Sequence, residues 1–259
     1  MRDRLVSVVA GLLGVAAVVL LWKAYVEWFD VSAFLLPPPE DVWAATIDLA
    51  TMRETWEHVW VTTREIAGGF LLATALGVAT GVLLAEVRVI ERALTPLLVA
   101  LQVIPKVTII PLLLLWFGFG FGSKLVIATV FAYFPITMGT LAGLKGAELG
   151  HRDLAAVLQA RRDQRLWTIE LPGALPSILT GMEVAIVLAT VGAVVAEYLA
   201  GDEGLGWLAL RSLNGVAVDQ LFGVIVLLSA LGFALYAAVS LLRRLLVPWH
   251  PSVRRLDVG

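Results

Sequence analysis

Three ionisable residues stand inside long apolar stretches of the sequence. Lys106 follows Pro105 in one stretch, and Glu183 and Glu197 lie near the two ends of another. A charged side chain at the centre of a bilayer costs about 2.5–3.5 kcal/mol on insertion scales, so such residues usually face protein or a water-filled cavity. Each could line a polar path or pair with an opposite charge from another helix. We therefore predict Pro105, Lys106, Glu183 and Glu197 as path or gate residues, with structural pairing as the alternative.

The sequence offers no conventional catalytic or metal-binding motif. It contains no cysteine, and its histidines, His58, His151 and His250, are too scattered to form a ligand pair. The run GFGFGSK looks like a phosphate-binding loop, but Ser123 precedes Lys124 and both flanks are apolar. A phosphate-binding loop instead needs Lys before Ser or Thr, between a strand and a helix. We expect no metal or cofactor in this chain, so any ATP and magnesium would be used by a separate partner.

The composition is that of a polytopic membrane protein. Of 259 residues, 59% are hydrophobic and 15% are charged, and the apolar residues form long runs. A membrane-spanning helix needs about 20 mostly apolar residues. We predict an all-α fold with six transmembrane helices at about 5–26, 62–86, 93–117, 123–145, 177–199 and 221–246. The first resembles a signal peptide but lacks a clear cleavage site, so we expect it to be retained.

Two of the predicted spans have an unusual composition. The third contains Pro96, Pro105 and Pro111, and prolines break membrane helices where the freed carbonyls face protein or a cavity. We therefore expect a broken helix next to Lys106. The fifth has small residues at helical spacing, which favours close helix packing. These residues are Gly181, Ala185, Ala189, Gly192, Ala193 and Ala196.

The distribution of charge predicts the orientation of the spans. Residues 27–61 are rich in Asp and Glu and contain one arginine, which is typical of a non-cytoplasmic segment. The arginine-containing segment 147–176 and both chain ends then fall on the cytoplasmic side. We predict a multi-pass membrane protein with both termini cytoplasmic. Its divisions are an N-terminal helix at 1–30, an extracytoplasmic amphipathic segment at 31–61, a five-helix core at 62–246 and a tail at 247–259.

The segment 147–176 is the longest charged insertion between two predicted spans. Apolar residues recur within it at roughly helical spacing, which indicates two short helices lying against the membrane. Leu171-Pro172 and Leu175-Pro176 are expected to end these helices, because proline cannot extend a helix and restrains the residue before it. The segment offers a polar surface to a partner outside the chain.

Five stretches carry a family resemblance. They are LLPPPEDVWAA at 35–45, TTREIAGGFLLATALGVATGVLLA at 62–85, LQVIPKVTIIPLLLLWFGFGFGSK at 101–124, LPGALPSILTGM at 171–182 and VVAEYLAGDEGLGWL at 194–208. Together they resemble the inner-membrane permease subunits of ABC importers with the type I importer fold. Within that group the chain looks most like the branch associated with nitrate, sulfonate and taurine.

The resemblance implies a function, a location in the bacterial inner membrane and a set of partners. It implies a permease subunit, not an enzyme, in an ATP-driven, binding-protein-dependent importer of nitrate, a sulfonate, taurine or a related small organic molecule. The implied partners are a cytoplasmic ABC ATPase dimer that uses ATP and magnesium, an extracytoplasmic substrate-binding protein, the lipid bilayer and a second permease subunit. We favour a homodimer, with a heterodimer as the alternative, and expect no nucleic acid.

In that family, the segment before the LPxALP motif contains a coupling helix that docks into the ATPase. The resemblance assigns to this coupling Asp153, Ala155, Gln159, Arg161 and Arg162, with Leu171 and Pro172 at the end of the segment. Counted back from Pro172, the family's Glu-Ala-Ala motif is Asp153-Leu154-Ala155 here and its turn glycine is Gln159. A register one residue later gives Leu154-Ala155-Ala156 and Ala160, which also lacks the glutamate and the glycine. Either the docking geometry has drifted together with the ATPase, or a second permease carries the standard loop. The sequence also differs from that branch at Glu183, a position where members of the branch usually have arginine.

Two other functional classes are weaker alternatives. In an ion-coupled secondary transporter, Lys106, Glu183 and Glu197 would form a relay. No inverted repeat is visible, however, and such a carrier would not need the segment 147–176. A membrane enzyme would need a nucleophile with its base or a pair of acids on one face, and the sequence shows neither.

Overall fold

A computed structural model describes residues 2–146 and 161–248 of the chain. All regular structure in those two ranges is helical, which confirms the all-α prediction. The helices are α1 (Arg2–Trp28), α2 (Pro39–Thr51), α3 (Arg53–Glu86), α4 (Arg88–Val103), α5 (Lys106–Phe117), α6 (Phe121–Lys145), α7 (Leu171–Ala200), α8 (Leu205–Asn214) and α9 (Val218–Leu246). A helical turn, Arg162–Arg165, and a π-helical turn, Leu166–Glu170, lead directly into α7. Asp153, Ala155 and Gln159 lie outside the described residues, as does the tail from residue 249.

Five helices in the described ranges are long and apolar enough to cross a membrane by themselves. They are α1, α3, α6, α9 and α7 together with the π turn before it. Helices α4 and α5 are long and apolar enough to cross a membrane only as a pair, and their axes meet at 97°. Counting that pair as one broken span gives six spans, as predicted, with the break at Ile104 and Pro105.

The packing of α3 on α6 shows that the α4–α5 pair crosses the bundle. Gly69 of α3 packs on Ala128 of α6, and Gly81 packs on Thr140, so residue numbers rise together and the two helices are parallel. The chain therefore leaves α3 at one end of the bundle and enters α6 at the opposite end. The α4–α5 pair must connect those ends, so it is a broken span and not a loop that turns back.

Helices α6 and α7 form the centre of the bundle and run antiparallel. Gly143 packs on Ala174 near one end, and Gly192 packs on Phe131 further along. A β-carbon added to Gly181 would lie only 2.5 Å from the Pro135 carbonyl oxygen, so the two backbones are in close contact there. The small residues predicted to favour helix packing on α7 are all buried, as expected for a close helix contact.

The short helices mark one end of the bundle, which we call the α8 end. Helix α2 packs there on the start of α9, with Leu49 against Gly223. The end of α1 is at the same place, because Lys23 donates a 2.9 Å hydrogen bond to Glu40 of α2. This hydrogen bond lowers the pKa of the exposed Glu40 carboxyl. The opposite end, where α6 finishes and α4 begins, is called the Lys145 end.

The two Leu-Pro pairs do not end a helix, which corrects the sequence prediction. Pro172 is the second residue of α7, which follows the π turn directly, so the helix runs through it. Pro176 is buried within the helix, and the nearby Thr180 hydroxyl donates a 2.8 Å hydrogen bond to its carbonyl oxygen. The helix continues because this part of α7 packs tightly on α6, where Ala174 contacts Gly143. Tertiary packing therefore outweighs the local effect of proline.

Candidate functional site

Lys106 lies at the break between α4 and α5, at the first position of α5. Its Nζ is 3.4 Å from the Phe131 carbonyl oxygen and 5.6 Å from the centre of the Phe131 ring. Among the carboxylates in the described ranges, none lies within ion-pair distance of this half-buried ammonium. The positive end of the α5 dipole lies at the same place. The break therefore carries positive charge with no neutralising carboxylate from the described residues.

The break lies at intermediate depth in the bundle and on its surface. Phe131, which Lys106 contacts, is roughly 15 Å from the start of α6 and 20 Å from its end at the usual rise of an α-helix. Val103 and Ile104 beside the break are 78% and 43% exposed, and Pro105 is also exposed. The structure thus brings Pro105 and Lys106 together on a face that the described part of this chain leaves uncovered.

Glu183 forms an ion pair with Arg243. The Arg243 guanidinium donates a 2.8 Å hydrogen bond to Glu183 Oε2, and the two side chains are only 17% and 10% exposed. This contact joins α7 to α9 near the Lys145 end. The structure therefore places Glu183 in the pairing arrangement that the sequence left open, and its role in a gate stays a prediction.

Glu197 is fully buried near the end of α7, and both of its carboxylate oxygens accept hydrogen bonds. Oε1 accepts one from the Thr62 hydroxyl at 2.6 Å, and Oε2 accepts one from the Gly206 backbone N–H at 2.7 Å. Along α7 it lies roughly 20 Å from Glu183. The structure therefore does not assemble Glu183 and Glu197 into one site.

The turn between α7 and α8 is held by side chains of α3 as well as by Glu197. Thr62 Oγ1 accepts a 2.8 Å hydrogen bond from the Leu205 N–H, and His58 Nδ1 accepts one of 3.1 Å from the Gly204 N–H. Gly204 has φ +104°, and a β-carbon there would lie 2.2 Å from the Glu197 carboxylate. Both the backbone angle and the close approach require glycine.

A second pair of charges lies beneath this turn. The Lys124 ammonium of α6 is 3.3 Å from Glu65 Oε1 of α3, and both side chains are almost completely buried. Lys124 Nζ is also 4.0 Å from the exposed carboxylate of Asp202. We call Thr62, Glu65, Lys124 and Glu197 the buried polar cluster. It links three helices and the turn at the α8 end.

Sequence reasoning missed most of this cluster. In the sequence, Thr62 and Glu65 only begin one predicted span, and Lys124 lies at the start of another, in a run that resembles a phosphate-binding loop. A usable signal was present, because Glu65 and Lys124 are opposite charges near the starts of their apolar runs. Two spans that run parallel and pack together bring their starts into contact. Six alternating spans already imply that the second and fourth run parallel, but the sequence did not show that these two pack together.

The predicted coupling residues are only partly within the described ranges. Arg161 is exposed, and its backbone N–H donates a 3.0 Å hydrogen bond to the side chain of Gln164. Arg162 begins the helical turn that follows, and Leu171 and Pro172 begin α7. Their contact with an ATPase stays a prediction.

A polar cleft of about 650 Å³ opens at the Lys145 end. It lies between the α3–α4 corner, the end of α6 and the π turn before α7. Lys145 forms an ion pair with Glu91, and Arg165 forms one with Glu170. In the described ranges no group of His, Asp and Glu side chains is arranged to hold a metal ion.

These features define the class of the protein. Six apolar spans, one of them broken beside a lysine, together with a charged insertion at one end, are the architecture of a membrane transport permease. The chain belongs to the family of the binding-protein-dependent transport system inner membrane component, whose model matches residues 74–250. The predicted resemblance to ABC importer permeases is thereby confirmed.

Related proteins and one solved structure agree with this assignment. The chain is 36% identical to the formylaminopyrimidine transport permease protein ThiX of Halalkalibacterium halodurans, over 84% of this chain and 86% of that protein. It is 31% identical to the putative aliphatic sulfonates transport permease protein SsuC of Bacillus subtilis, over 93% and 88%. A structure of the inward-facing MetNI methionine ABC transporter matches with a TM-score of 0.67 at 20% identity, over 76% of this chain and 98% of that one. That match supports the fold alone.

Family membership decides between the functional classes considered from the sequence. The chain is a permease subunit of ATP-driven, binding-protein-dependent import, and not a secondary transporter working without an ATPase.

Proposed function

We propose that this permease pairs with a second copy of itself to form the path of a small solute, and that the path runs along the α4–α5 break. The observation that carries the proposal is the Lys106 ammonium, which lies at intermediate depth with no carboxylate from the described residues within ion-pair distance. Facing lipid, such a group would be unfavourable by about 2.5–3.5 kcal/mol. Facing water between two permeases, it would keep its hydration. A heterodimer with a different permease is the alternative arrangement.

The proposed solute carries a negatively charged group. Two copies of the permease would bring two Lys106 side chains and two positive helix ends towards a shared path, which attracts anions. Relatives of the chain are named for the transport of aliphatic sulfonates, taurine and nitrate. We therefore propose nitrate, a sulfonate, taurine or a related small organic molecule as the class of solute.

We propose that the α8 end faces outward and the Lys145 end faces the cytoplasm, which puts both chain termini in the cytoplasm. Cytoplasmic ends of membrane proteins carry an excess of Lys and Arg. Basic residues near the Lys145 end include Arg88, Arg92, Lys145, Arg161, Arg162, Arg165, Arg243 and Arg244. Acidic residues at the α8 end include Glu40, Asp41, Asp48, Glu54, Glu57, Asp202, Glu203 and Asp219.

This orientation assigns a partner to each end. An ABC ATPase dimer, which would use ATP and magnesium, is proposed to contact the first part of the segment 147–176, at Asp153, Ala155, Gln159, Arg161 and Arg162. An extracytoplasmic substrate-binding protein is proposed to dock on α2, α8 and the turn before α8. ATP binding would close the ATPases, and this closure would shift the permease between inward-open and outward-open states.

The proposal is tested by purifying the tagged permease after expression with its neighbouring genes. We expect an ATPase and a second copy of the permease to remain bound in mild detergent, at a ratio measured by native mass spectrometry. Addition of the co-encoded binding protein should stimulate ATP hydrolysis by the complex in proteoliposomes. A permease that retains no ATPase while keeping its folded state would contradict the proposed assembly, and a second, different permease in the complex would replace the homodimer.

A further inference from the structure

The helix entering α7 contains one residue more than an α-helix would hold. In the π turn Leu166–Glu170, the backbone N–H of Leu171 donates to the carbonyl oxygen of Leu166, a spacing of five residues. An α-helix closes the same bond over four residues. Such π turns are rare and often occur at functional sites. Here the turn lies between Arg162–Arg165 and the membrane-spanning part of α7.

The π turn brings two opposite charges together. Arg165 Nε lies 3.1 Å from Glu170 Oε1, and the Glu170 side chain is only 3% exposed. Residues five apart on an α-helix point about 140° away from each other, because each residue rotates by about 100°. The extra residue therefore brings Arg165 and Glu170 to the same side of the helix.

That side faces the polar cleft at the Lys145 end. Arg165 and Glu170 line the cleft together with Arg88, Glu91 and Lys145. Glu91 belongs to α4, and its ion pair with Lys145 connects α4 to the end of α6. The turn before α7 and the start of α4, the helix that leads to the Lys106 break, therefore line the same cleft.

We propose that the π turn, together with Arg165 and Glu170, positions the segment before α7 so that its movement is transmitted through the cleft to α4. Arg165 and Glu170 are positioning residues in this proposal, and the extra residue sets the rotation of the incoming segment relative to α7. The inference rests on the proposed function, because it assumes that an ATPase moves that segment. It adds to that function the residues that determine the direction in which the segment moves.

The test compares a deletion with a substitution at the same position. Deleting Thr168 removes one residue from the turn, which rotates the incoming segment by about 100° and shortens it by about 1.5 Å. Thr168→Ala keeps the length and is the matched control. In the purified complex we measure ATPase retention, basal ATP hydrolysis and stimulation by the co-encoded binding protein.

We expect the deletion variant to retain the ATPase and its basal hydrolysis but to lose most of the stimulation, while Thr168→Ala stays within about twofold of the wild type. Normal stimulation in the deletion variant would overturn the inference. If the deletion variant does not assemble, two further variants test the inference. One is the single substitution Glu170→Arg, and the other exchanges the pair with Arg165→Glu and Glu170→Arg. Loss of stimulation in the single variant and recovery in the exchanged pair support the inference, and any other result overturns it. A wild-type permease that binds no ATPase would instead contradict the proposed function.

Discussion

Charged residues in the apolar spans have different environments in the folded protein. Glu183 is neutralised by Arg243, and Glu65 by Lys124, so these charges join helices. In the described part of the chain, the Lys106 ammonium contacts a backbone carbonyl and an aromatic ring, with no carboxylate within ion-pair distance. Removing one member of a buried pair would leave the other charge uncompensated, so paired charges are expected to act structurally. A charge without a carboxylate partner is a candidate for binding.

Lys106→Ala should reduce uptake without reducing assembly. Loss of the ammonium removes the positive charge proposed to attract the solute, so we expect uptake to fall by about tenfold or more, equivalent to about 1.4 kcal/mol. Uptake of nitrate, taurine and an alkanesulfonate is measured in proteoliposomes, and the amount of intact complex by size-exclusion chromatography. Lys106→Arg, which keeps the charge, should retain more activity. Equal losses of uptake and assembly would assign Lys106 a structural role.

Glu197→Ala should destabilise the turn before α8. The change leaves the Gly206 N–H and the Thr62 hydroxyl without their buried acceptor, at a cost of about 1–3 kcal/mol for each group. Thermal unfolding in detergent should therefore shift down by several degrees. Glu203→Ala removes an exposed acid from the same turn and is the control, with little expected change. Equal unfolding temperatures for both variants would argue against the hydrogen-bonding role of Glu197.

At the scale of helices, the core depends on small residues where α6 meets α7. The two helices approach closely at Gly181, and larger residues there would displace the Pro135 backbone. The break between α4 and α5 has the opposite character, because its residues are exposed and pack little within the described chain. Of the two halves of the broken span, α5 packs on the core through Ile110, Leu113 and Leu114, whereas α4 has no buried residue. A tightly packed core beside α4 suits a rigid frame with one movable part.

Gly181→Ala and Gly173→Ala should have opposite effects although both glycines lie in α7. At Gly181 the new methyl group would meet the Pro135 carbonyl oxygen, and we expect a loss of about 1–3 kcal/mol from overpacking. At Gly173 no heavy atom lies within 4 Å of the added β-carbon, so alanine should be neutral or stabilise the helix by up to about 1 kcal/mol. Thermal unfolding of the two variants measures the difference, and similar unfolding temperatures would contradict the close contact.

At the scale of the whole molecule, the two ends of the bundle differ in charge. Parallel α3 and α6, antiparallel α7 and the crossing α4–α5 pair bring the acidic turns to the α8 end and the basic helix ends to the Lys145 end. This asymmetry supports the proposed orientation in the membrane and the proposed separation of the binding protein from the ATPase.

The absence of cysteine makes the orientation directly testable. Asp48→Cys at the α8 end and Arg88→Cys at the Lys145 end each introduce a single exposed thiol. A membrane-impermeant maleimide should label Asp48→Cys in intact cells, after permeabilisation of any outer membrane, and should label Arg88→Cys only in inverted vesicles. The reverse pattern would invert the proposed orientation and remove the assignment of partners to the two ends.

Charge reversal at Arg161 and Arg162 should uncouple the importer. With both arginines changed to glutamate, we expect ATP hydrolysis to continue while uptake falls by about tenfold or more, because the ATPase contact would be weakened. Arg53→Glu, a reversal at an exposed site of the α8 end, is the control for a change of surface charge. Unchanged uptake in the double variant, measured in proteoliposomes, would remove these residues from the coupling contact.

The sequence by itself determined the features that depend on composition and local pattern. Long apolar runs can be stable only in a membrane or a core, so the number of spans followed from their lengths. Three prolines predicted the broken span, and small residues at helical spacing predicted the close face of α7. The proposed orientation also follows from the distribution of charge, because arginine is retained on the cytoplasmic side.

Only the tertiary structure decided how distant residues are paired. Glu183 meets Arg243, and Glu65 meets Lys124, because particular helices pack side by side, and local sequence does not specify those neighbours. The continuation of α7 through Pro172 and Pro176 depends on its contact with α6. The π turn is visible only in the three-dimensional structure, because one additional residue in a helix leaves no local signal in the sequence. Spacing along the chain indicates which face of a helix a residue occupies, but packing in three dimensions determines what that face contacts.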